Sequence, residues 1–260
     1  MPAADAIALS PPAGSRVAVV GAAGGIGRCL VERLLAAGCQ VAALDLPASL
    51  ERHPVPEGVI AHALDATDEG AVEDAFSAVH DAFGALDGLV NLVGFTRERV
   101  PVSETPLGTW EEVVEGNLSS TFLACRAALP LLHQGRNAAI VNTSSGLAMK
   151  PTPGYGPYSV AKAGVLALTR LLAQENAPRV RANAVAPSAV DTAFLRGGTG
   201  RGGDDASATR LDVEAYLRTI PLGRIADADD VVGPILFLLG PASAYVTGHT
   251  LHVNGGLLMT

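Results

Sequence analysis

The stretch SRVAVVGAAGGIG, residues 15–27, decides the fold of this chain. Its valine-rich first half predicts a buried β-strand, and the glycines that follow predict a tight turn. Residues 25–37 then carry apolar side chains at helical spacing, so the turn leads directly into a helix. Glycines permit close backbone approach, and a helix N-terminus offers N–H donors to a pyrophosphate group. The stretch therefore predicts a dinucleotide site that includes Gly21, Gly25, Ile26 and Gly27.

The glycine spacing alone does not establish this site, because glycine-rich turns also occur where a helix simply packs against a strand. Asp45 is an independent signal. It ends the second predicted strand (40–45), where a carboxylate would accept hydrogen bonds from the ribose hydroxyls of an adenosine. The same charge would repel a 2′-phosphate, and no Arg or Lys lies in the turn or in the two positions after Asp45. We therefore expect NAD as the cofactor, in preference to NADP.

The rest of the chain alternates short apolar runs with longer helical patterns. Further strands are expected at 58–65, 86–94, 138–145, 180–187 and 250–253, and further helices at 68–83, 108–133, 157–175 and 227–239. Continuous apolar runs are typical of a parallel sheet that is covered on both faces. We expect one α/β domain over residues 15–260, with a doubly wound, Rossmann-type parallel sheet of about seven strands and helices on both faces.

Two segments interrupt this alternation. Residues 1–14 are expected to form a flexible tail. Residues 196–209 contain five glycines and follow the sixth strand, at the edge of an open sheet where ligands bind. We expect them to be part of a substrate lid over about 190–219, with a tolerated surface insertion as the alternative.

Composition argues against several other classes of protein. The formal net charge of −8 argues against nucleic acid and anionic membranes as partners. No run of 18 apolar residues predicts a membrane span, and the N-terminus lacks the basic region of a signal peptide. The three cysteines form no CxxC pair, and His249 and His252 would point to opposite faces of a strand, so no metal site is expected. We expect a cytoplasmic protein.

The stretch YSVAK, residues 158–162, carries the main chemical signal. The chain has sixteen Arg but only two Lys, so a Lys four positions after one of the four Tyr would arise by chance about 0.03 times. Residues four apart lie on one face of a helix, so Tyr158 and Lys162 are expected to reach one cavity. The Lys162 ammonium and an oxidised nicotinamide ring would both favour the phenolate and lower the pKa of Tyr158 from its usual value of about 10. The pair is a candidate for acid–base catalysis.

Together these features resemble the short-chain dehydrogenase/reductase (SDR) family over residues 15–260. The resemblance includes NLVG (91–94), PSAVDT (187–192) and TGHTLHVNGG (247–256), and it departs from the family pattern at Val20, Val93, Ser188 and Asn254. It implies a catalytic group of Asn117, Ser145, Tyr158 and Lys162. The cofactor contacts it implies are Gly21, Gly25, Ile26, Gly27, Asp45, Leu46, Asp65, Ala66, Asn91, Gly94, Tyr158, Lys162, Pro187, Val190 and Thr192.

The resemblance also implies roles for these residues. Tyr158 would be the general acid/base and Ser145 would hydrogen-bond the substrate oxygen. Lys162 would hold the nicotinamide ribose, and Asn117 would hold a water that links Lys162 to solvent. Candidates for the substrate pocket are Phe95, Leu147, Met149, Tyr155, Ala189, Phe194 and Leu195. The function expected is NAD-dependent hydride transfer to or from a secondary alcohol or ketone, apolar or cyclic, without a metal.

Two alternative functions stay open. A 3-oxoacyl thioester reductase, acting on acyl-carrier-protein or CoA thioesters, would use the same catalytic group. Its usual NADPH fits poorly with Asp45, and the acidic net charge does not suggest an acidic carrier protein as partner. A non-catalytic nucleotide-sensing or scaffold protein would share the fold but would be expected to lack Tyr158 or Lys162.

The long helices 108–133 and 157–175 resemble those of family tetramer interfaces, so we expect a homotetramer.

Overall fold

A computed structural model describes residues 8–197, 209 and 211–259, and at its centre lies a seven-stranded parallel sheet. The strands are β1 (Arg16–Val20), β2 (Gln40–Asp45), β3 (Ile60–Ala63), β4 (Gly88–Asn91), β5 (Ala139–Thr143), β6 (Arg181–Pro187) and β7 (Thr250–Val253). Their spatial order is β3-β2-β1-β4-β5-β6-β7, and every neighbouring pair is parallel. The predicted fold class, one doubly wound parallel sheet of seven strands, is confirmed.

Helices cover both faces of this sheet. They are α1 (Gly25–Ala36), α2 (Pro47–Arg52), α3 (Glu69–Phe83), α4 (Leu107–Val114), α5 (Ser120–Leu132), α6 (Gly156–Asn176), α7 (Val213–Leu217) and α8 (Ala228–Leu239). On one face, Leu30 of α1 and Ile235 of α8 are fully buried in the same apolar cluster. On the other face, Phe76 of α3, Leu132 of α5 and Leu172 of α6 share a second cluster. The sheet is therefore buried on both sides, which explains why its strands are continuous apolar runs.

The helices depart from the sequence-based expectation in two ways. The predicted single helix 108–133 contains a π-helical turn, Glu115–Ser119, between α4 and α5. The short helices α2 and α7 were not predicted, because six and five residues are too few to show a helical period. None of the helices in the described ranges is long and apolar enough to cross a membrane.

Part of the predicted N-terminal tail packs against the domain. The Gly14 N–H donates to the carbonyl of Gly38 at 2.8 Å. A Cβ added at Gly240 would lie 2.7 Å from the carbonyl oxygen of Leu9, so the two backbones are in close contact. Residues 9–14 are therefore not a loose tail, which corrects that expectation. Residues 1–7, and 198–208 and 210 of the predicted lid, lie outside the described residues.

The direction of chain progression reverses between β1 and β4, which are neighbours in the sheet. From β1 the chain moves outward through β2 to β3, and from β4 it moves the other way towards β7. The loops after β1 and β4 therefore separate and leave a crevice at the C-terminal edge of the sheet. This crevice is where the predicted cofactor and catalytic residues meet.

A buried ion pair joins the opposite, N-terminal edge. The Asp87 carboxylate, 8% exposed, accepts hydrogen bonds from the Arg16 guanidinium at 2.8 and 3.0 Å. It also accepts from the main-chain N–H groups of Arg16 at 2.9 Å and Arg136 at 2.7 Å. Despite the opposing effect of burial, these bonds hold the pKa of Asp87 below its usual range. One carboxylate thus links the starts of β1, β4 and the loop before β5.

We predict that Asp87→Asn lowers the free energy of unfolding by about 2 kcal/mol, because the Arg16 charge loses its partner. Urea unfolding measures this change. In the wild type, the lowered pKa means that the contribution is complete above pH ~4 and is lost as the pH falls further. Asp81→Asn is the matched control, since that side chain is 81% exposed, and should change stability by less than about 0.5 kcal/mol. An equal effect of both substitutions would contradict the prediction.

Candidate active site

The glycine turn after β1 has no room for side chains. Gly21 has a φ of +87°, in the left-handed region that favours glycine. A Cβ at Gly27 would lie 2.1 Å from the Gly21 carbonyl oxygen, and a Cβ at Gly25 would lie 2.5 Å from the Thr192 methyl carbon. Helix α1 begins at Gly25 and continues through Ile26, so its first N–H groups are at this bare turn. The turn fits a pyrophosphate group, which needs close backbone approach at a helix N-terminus.

Asp45 stands beside this turn at the end of β2. Its carboxylate accepts from the N–H of Ala23 at 2.8 Å and from the N–H of Leu46 at 2.7 Å, and the Ser49 hydroxyl donates to it as well. Burial raises the pKa of Asp45, and these donors oppose the rise. The predicted acid and the predicted glycine turn are therefore one hydrogen-bonded unit.

The end of β3 adjoins Asp45. The Leu64 N–H donates to the Asp45 carbonyl at 2.8 Å, and the next residue is the predicted adenine contact Asp65. The Asp65 carboxylate accepts from the N–H and the hydroxyl of Thr67, at 3.0 and 2.7 Å, while Ala66 is buried. These predicted residues do lie at the same edge of the sheet as the glycine turn.

Asn91, the last residue of β4, and Gly94, in the loop after it, have different surroundings. The Asn91 amide is buried and donates to the Asn142 side chain at 2.8 Å, so its side chain lies within the core rather than in the crevice. Gly94 lies in the crevice. A Cβ there would be 2.8 Å from Asn117 Oδ1 and 2.9 Å from Lys162 Nζ. The missing side chain at Gly94 leaves the space in which those two groups approach each other.

Helix α6 brings Tyr158 and Lys162 to the crevice as predicted. Both side chains are buried, at 8% and 2% exposure, and Lys162 Nζ lies 5.8 Å from the centre of the Tyr158 ring. The amine donates to the main-chain carbonyls of Val93 at 3.1 Å and Thr143 at 3.0 Å. Ser145 hydrogen-bonds Tyr158 through its side chain. Three of the four predicted catalytic residues are therefore grouped at the ends of β4 and β5.

The electrostatics of the pair differ from the expectation. Burial raises the pKa of Tyr158 to about 12, with a smaller contribution from Tyr155, while the hydrogen bond from Ser145 opposes the rise. Burial also lowers the pKa of Lys162 to about 7. Burial thus raises the pKa of Tyr158, opposite to the direction expected from the Lys162 ammonium, and the effect of an oxidised nicotinamide ring stays a prediction.

Asn117, the fourth predicted catalytic residue, lies in the π-helical turn and is fully buried. Its amide donates to the carbonyls of Phe95 at 2.9 Å and Val113 at 2.8 Å, and its oxygen accepts from the Phe95 N–H at 3.3 Å. The side chain therefore fixes the loop after β4 against α4. A π-helical turn often marks a functional site in a helix, but sequence periodicity does not reveal it.

The segment after β6 faces the glycine turn. Val190 forms a parallel bridge with Ala226, so its own N–H and C=O point away from Ala226. Among the described residues its N–H has no hydrogen-bond partner, and its C=O accepts only a long bond, 3.4 Å, from the Thr192 hydroxyl. A carboxamide group, with one acceptor and one NH₂ donor, fits this pair. Pro187, at the end of β6, precedes the segment.

The structure brings some of the predicted pocket residues to Tyr158. Phe95 is buried with Tyr158 and Val113, and Leu147 and Phe194 pack against this cluster. The rings of Tyr158 and Phe194 are 6.0 Å apart. Met149 is 40% exposed and no contact places it or Leu195 at this cluster, while the Ala189 N–H is turned towards α7. Tyr155 borders the cleft beside Tyr158, stacked under the Arg99 guanidinium at 4.7 Å.

Sequence reasoning missed three residues of this region. Val113 lies four positions before Asn117, and helical spacing alone would have placed it on the same face. Arg97 lies 4.6 Å over the Phe95 ring and pairs with Glu112, a contact between distant segments that leaves no local pattern. Within the described ranges, no group of three or more His, Cys, Asp and Glu is arranged to hold a metal ion.

Comparison with known proteins identifies the family. A family model described as enoyl-(acyl carrier protein) reductase matches residues 21–258. A 3-oxoacyl-(acyl-carrier-protein) reductase of Vibrio cholerae is 33% identical over 245 residues, which are 93% of this chain and 96% of that protein. The chain belongs to the short-chain dehydrogenase/reductase family and is an oxidoreductase of that family.

Two solved structures show the same architecture. A short-chain dehydrogenase/reductase of Brucella melitensis described as a glucose/ribitol dehydrogenase has a TM-score of 0.85 at 27% identity, covering 96% of this chain and 99% of that one. A 3-ketoacyl-(acyl-carrier-protein) reductase of Brucella melitensis complexed with NADH also has a TM-score of 0.85 at 27% identity, covering 95% and 99%. The second similarity is to a protein that binds a nicotinamide dinucleotide.

We predict that Gly94→Ala lowers kcat by about 100-fold, because the added methyl group displaces Lys162 and Asn117 from each other by a fraction of an ångström or more. Steady-state kinetics measures the loss. Gly108→Ala, on α4 with open space around its Cβ position, is the control and should leave kcat unchanged. The prediction fails if both variants behave alike.

Proposed function

We propose that this protein is an NAD(H)-dependent oxidoreductase that interconverts a 3-oxoacyl thioester and the corresponding 3-hydroxyacyl thioester. The observation that carries the proposal is the buried Tyr158 side chain, whose hydroxyl is hydrogen-bonded to Ser145 and whose ring centre lies 5.8 Å from the Lys162 amine. A phenol whose pKa is about 12 holds its proton at neutral pH, as a general acid must before it protonates a ketone oxygen.

Each predicted catalytic residue has a separate role in the proposed reaction. Tyr158 donates its proton to the substrate oxygen during reduction and recovers it during oxidation. Ser145 donates a hydrogen bond to the same oxygen and steadies its developing negative charge. Lys162 is fixed by two main-chain carbonyls, and we assign it to the nicotinamide ribose. The bound nicotinamide supplies or accepts the hydride. Asn117 holds the loop that carries Phe95, and the water proposed at this residue stays a prediction.

Similarity to other proteins supports the thioester more than the apolar or cyclic alcohol expected first. The Vibrio cholerae relative and the Brucella melitensis structure with NADH are both described as reductases of acyl-carrier-protein thioesters. The net charge of −8 would repel an acidic carrier protein and also CoA, whose phosphate groups are negatively charged, so it does not choose between the two carriers of the thioester.

A secondary alcohol or ketone without a thioester is the second candidate. It is favoured by the apolar surroundings of Tyr158, which include Leu147 and Phe194. A nucleotide-sensing or scaffold role is less well supported, because Ser145, Tyr158 and Lys162 are grouped with buried, hydrogen-bonded side chains. The homotetramer and the cytoplasmic location stay predictions. The homotetramer is supported by exposed apolar side chains on two helices, Phe122 on α5 and Val160 and Leu171 on α6.

The first experiment compares substrates. We expect NADH consumption with acetoacetyl-CoA, and its loss by about 100-fold or more in Tyr158→Phe, which removes the proton donor. Calorimetry should show that the variant still binds NADH. Tyr245→Phe, at a fully exposed position, is the control and should keep full activity.

The outcomes separate the candidate functions. Turnover of acetoacetyl-carrier protein but not of acetoacetyl-CoA would identify the carrier protein as the carrier of the thioester. Turnover of cyclic ketones alone would favour the second candidate. NADH binding without turnover of any of these ketones would favour the sensor role.

The cofactor preference is tested at Asp45. We predict that Asp45→Ser lowers the NAD:NADP ratio of kcat/KM by about tenfold or more, because the charge that repels the 2′-phosphate is lost. Asp45→Asn keeps an oxygen acceptor near the Ala23 N–H, so it separates the effect of charge from the effect of turn geometry. An unchanged ratio in both variants would refute this account of the preference.

A further inference from the structure

The segment after β6 is fixed by hydrogen bonds from its main chain to two other parts of the fold. The Ser188 N–H donates to the Val253 carbonyl of β7 at 3.1 Å. The Asp191 N–H donates to the Ala226 carbonyl at 2.8 Å, and the Ala226 N–H donates to the Ala189 carbonyl at 3.2 Å. These bonds fix the segment to β7 and to the residues before α8.

A side chain completes this set of bonds. The Ala189 N–H donates to the Tyr216 hydroxyl at 2.9 Å, across 27 positions of the chain. Tyr216 lies on α7, whose start is capped by Asp212 accepting from the Ala215 N–H at 2.9 Å. The Thr219 hydroxyl then donates to the Tyr216 carbonyl at 2.7 Å. The tyrosine is therefore held in place from both ends of its own helix.

The region after α7 is anchored in turn to the end of the chain. The Leu222 N–H donates to the Gly255 carbonyl at 3.1 Å. A Cβ at Gly255 would lie 2.8 Å from the Ile220 Cγ2 atom, and Ile220 is buried. Because these neighbours are tightly packed, the Tyr216 hydroxyl is a fixed point against which Ala189 can be positioned.

We infer that Tyr216 is a positioning residue of the nicotinamide end of the site, acting through the main chain of Ala189. The inference rests on the proposed function, since it takes Val190 and Thr192 as contacts of the nicotinamide. Because the N–H and the C=O of Ala189 are both hydrogen-bonded, the direction of the peptide unit between Ala189 and Val190 is fixed. That direction aims the Val190 N–H and C=O away from Ala226 and places the Thr192 methyl over Gly25.

The test compares two ligands that differ in one part. Tyr216→Phe removes the acceptor of the Ala189 N–H and keeps the ring. We expect the Kd for NADH to rise about fivefold or more, because Ala189 loses the partner that fixes the direction of the Val190 N–H towards the nicotinamide. The Kd for ADP-ribose, which lacks the nicotinamide, should stay within about twofold of the wild-type value. Isothermal titration calorimetry measures both constants.

Tyr245→Phe is the matched control, because that side chain is fully exposed, and it should change neither constant. Thermal unfolding without ligand reports any loss of folding separately. A merely structural role for Tyr216 would raise both constants together or lower only the unfolding temperature, and either result would overturn the inference. If wild-type protein bound ADP-ribose but not NADH, or neither, the proposed function would fail with it.

A measurement on the wild type covers the case in which Tyr216→Phe does not fold. Hydrogen exchange in a peptide spanning 188–192 should slow on addition of NADH, because the Val190 N–H gains a partner. Addition of ADP-ribose should leave the same peptide unchanged. Equal protection by both ligands would overturn the inference, since the segment would then respond to the adenosine half of the cofactor.

Discussion

A lysine amine that is 2% exposed has to find hydrogen-bond acceptors inside the protein, and Lys162 finds them at the ends of two strands. Val93 follows β4 and Thr143 ends β5, so one amine links α6 to both strands at the crevice. Tyr158 lies one turn earlier on the same helix and is carried to the same edge. The position of Tyr158 and Lys162 at this edge therefore follows from the need to satisfy one buried amine.

The residues around the Lys162 amine also reflect its burial. A Cβ at Gly94 would lie 2.8 Å from Asn117 Oδ1 and 2.9 Å from Lys162 Nζ, so a side chain there would displace these atoms. Asn117 reaches the loop after β4 from the π-helical turn. A Cβ at Gly116 would lie 2.1 Å from the Phe95 ring, so the turn also has a steric requirement. The irregular helix is thus part of the active-site geometry.

Much of the fold was predictable, because the sheet is buried on both faces and its strands are apolar without interruption. The grouping of Tyr158 and Lys162 was predictable because it depends only on helical spacing. Other features depend on contacts between distant segments, as with Asn117 and Phe95 or Tyr216 and Ala189. The effect of burial on the pKa of Tyr158 was not predictable, because the degree of burial is a property of the folded chain. The cofactor contact implied at Asn91 stays a prediction, and its side chain lies in the core, where it bonds Asn142.

The bond between Asp45 and the Ala23 N–H has a consequence for how such a protein could evolve. The carboxylate that we propose distinguishes between two cofactors is also an acceptor that helps to hold the glycine turn in shape. A lineage that replaced it with a basic residue would gain attraction for a 2′-phosphate and lose an anchor of the turn in the same step. A change of cofactor that keeps the turn intact would therefore combine two substitutions, one for charge and one that restores an acceptor.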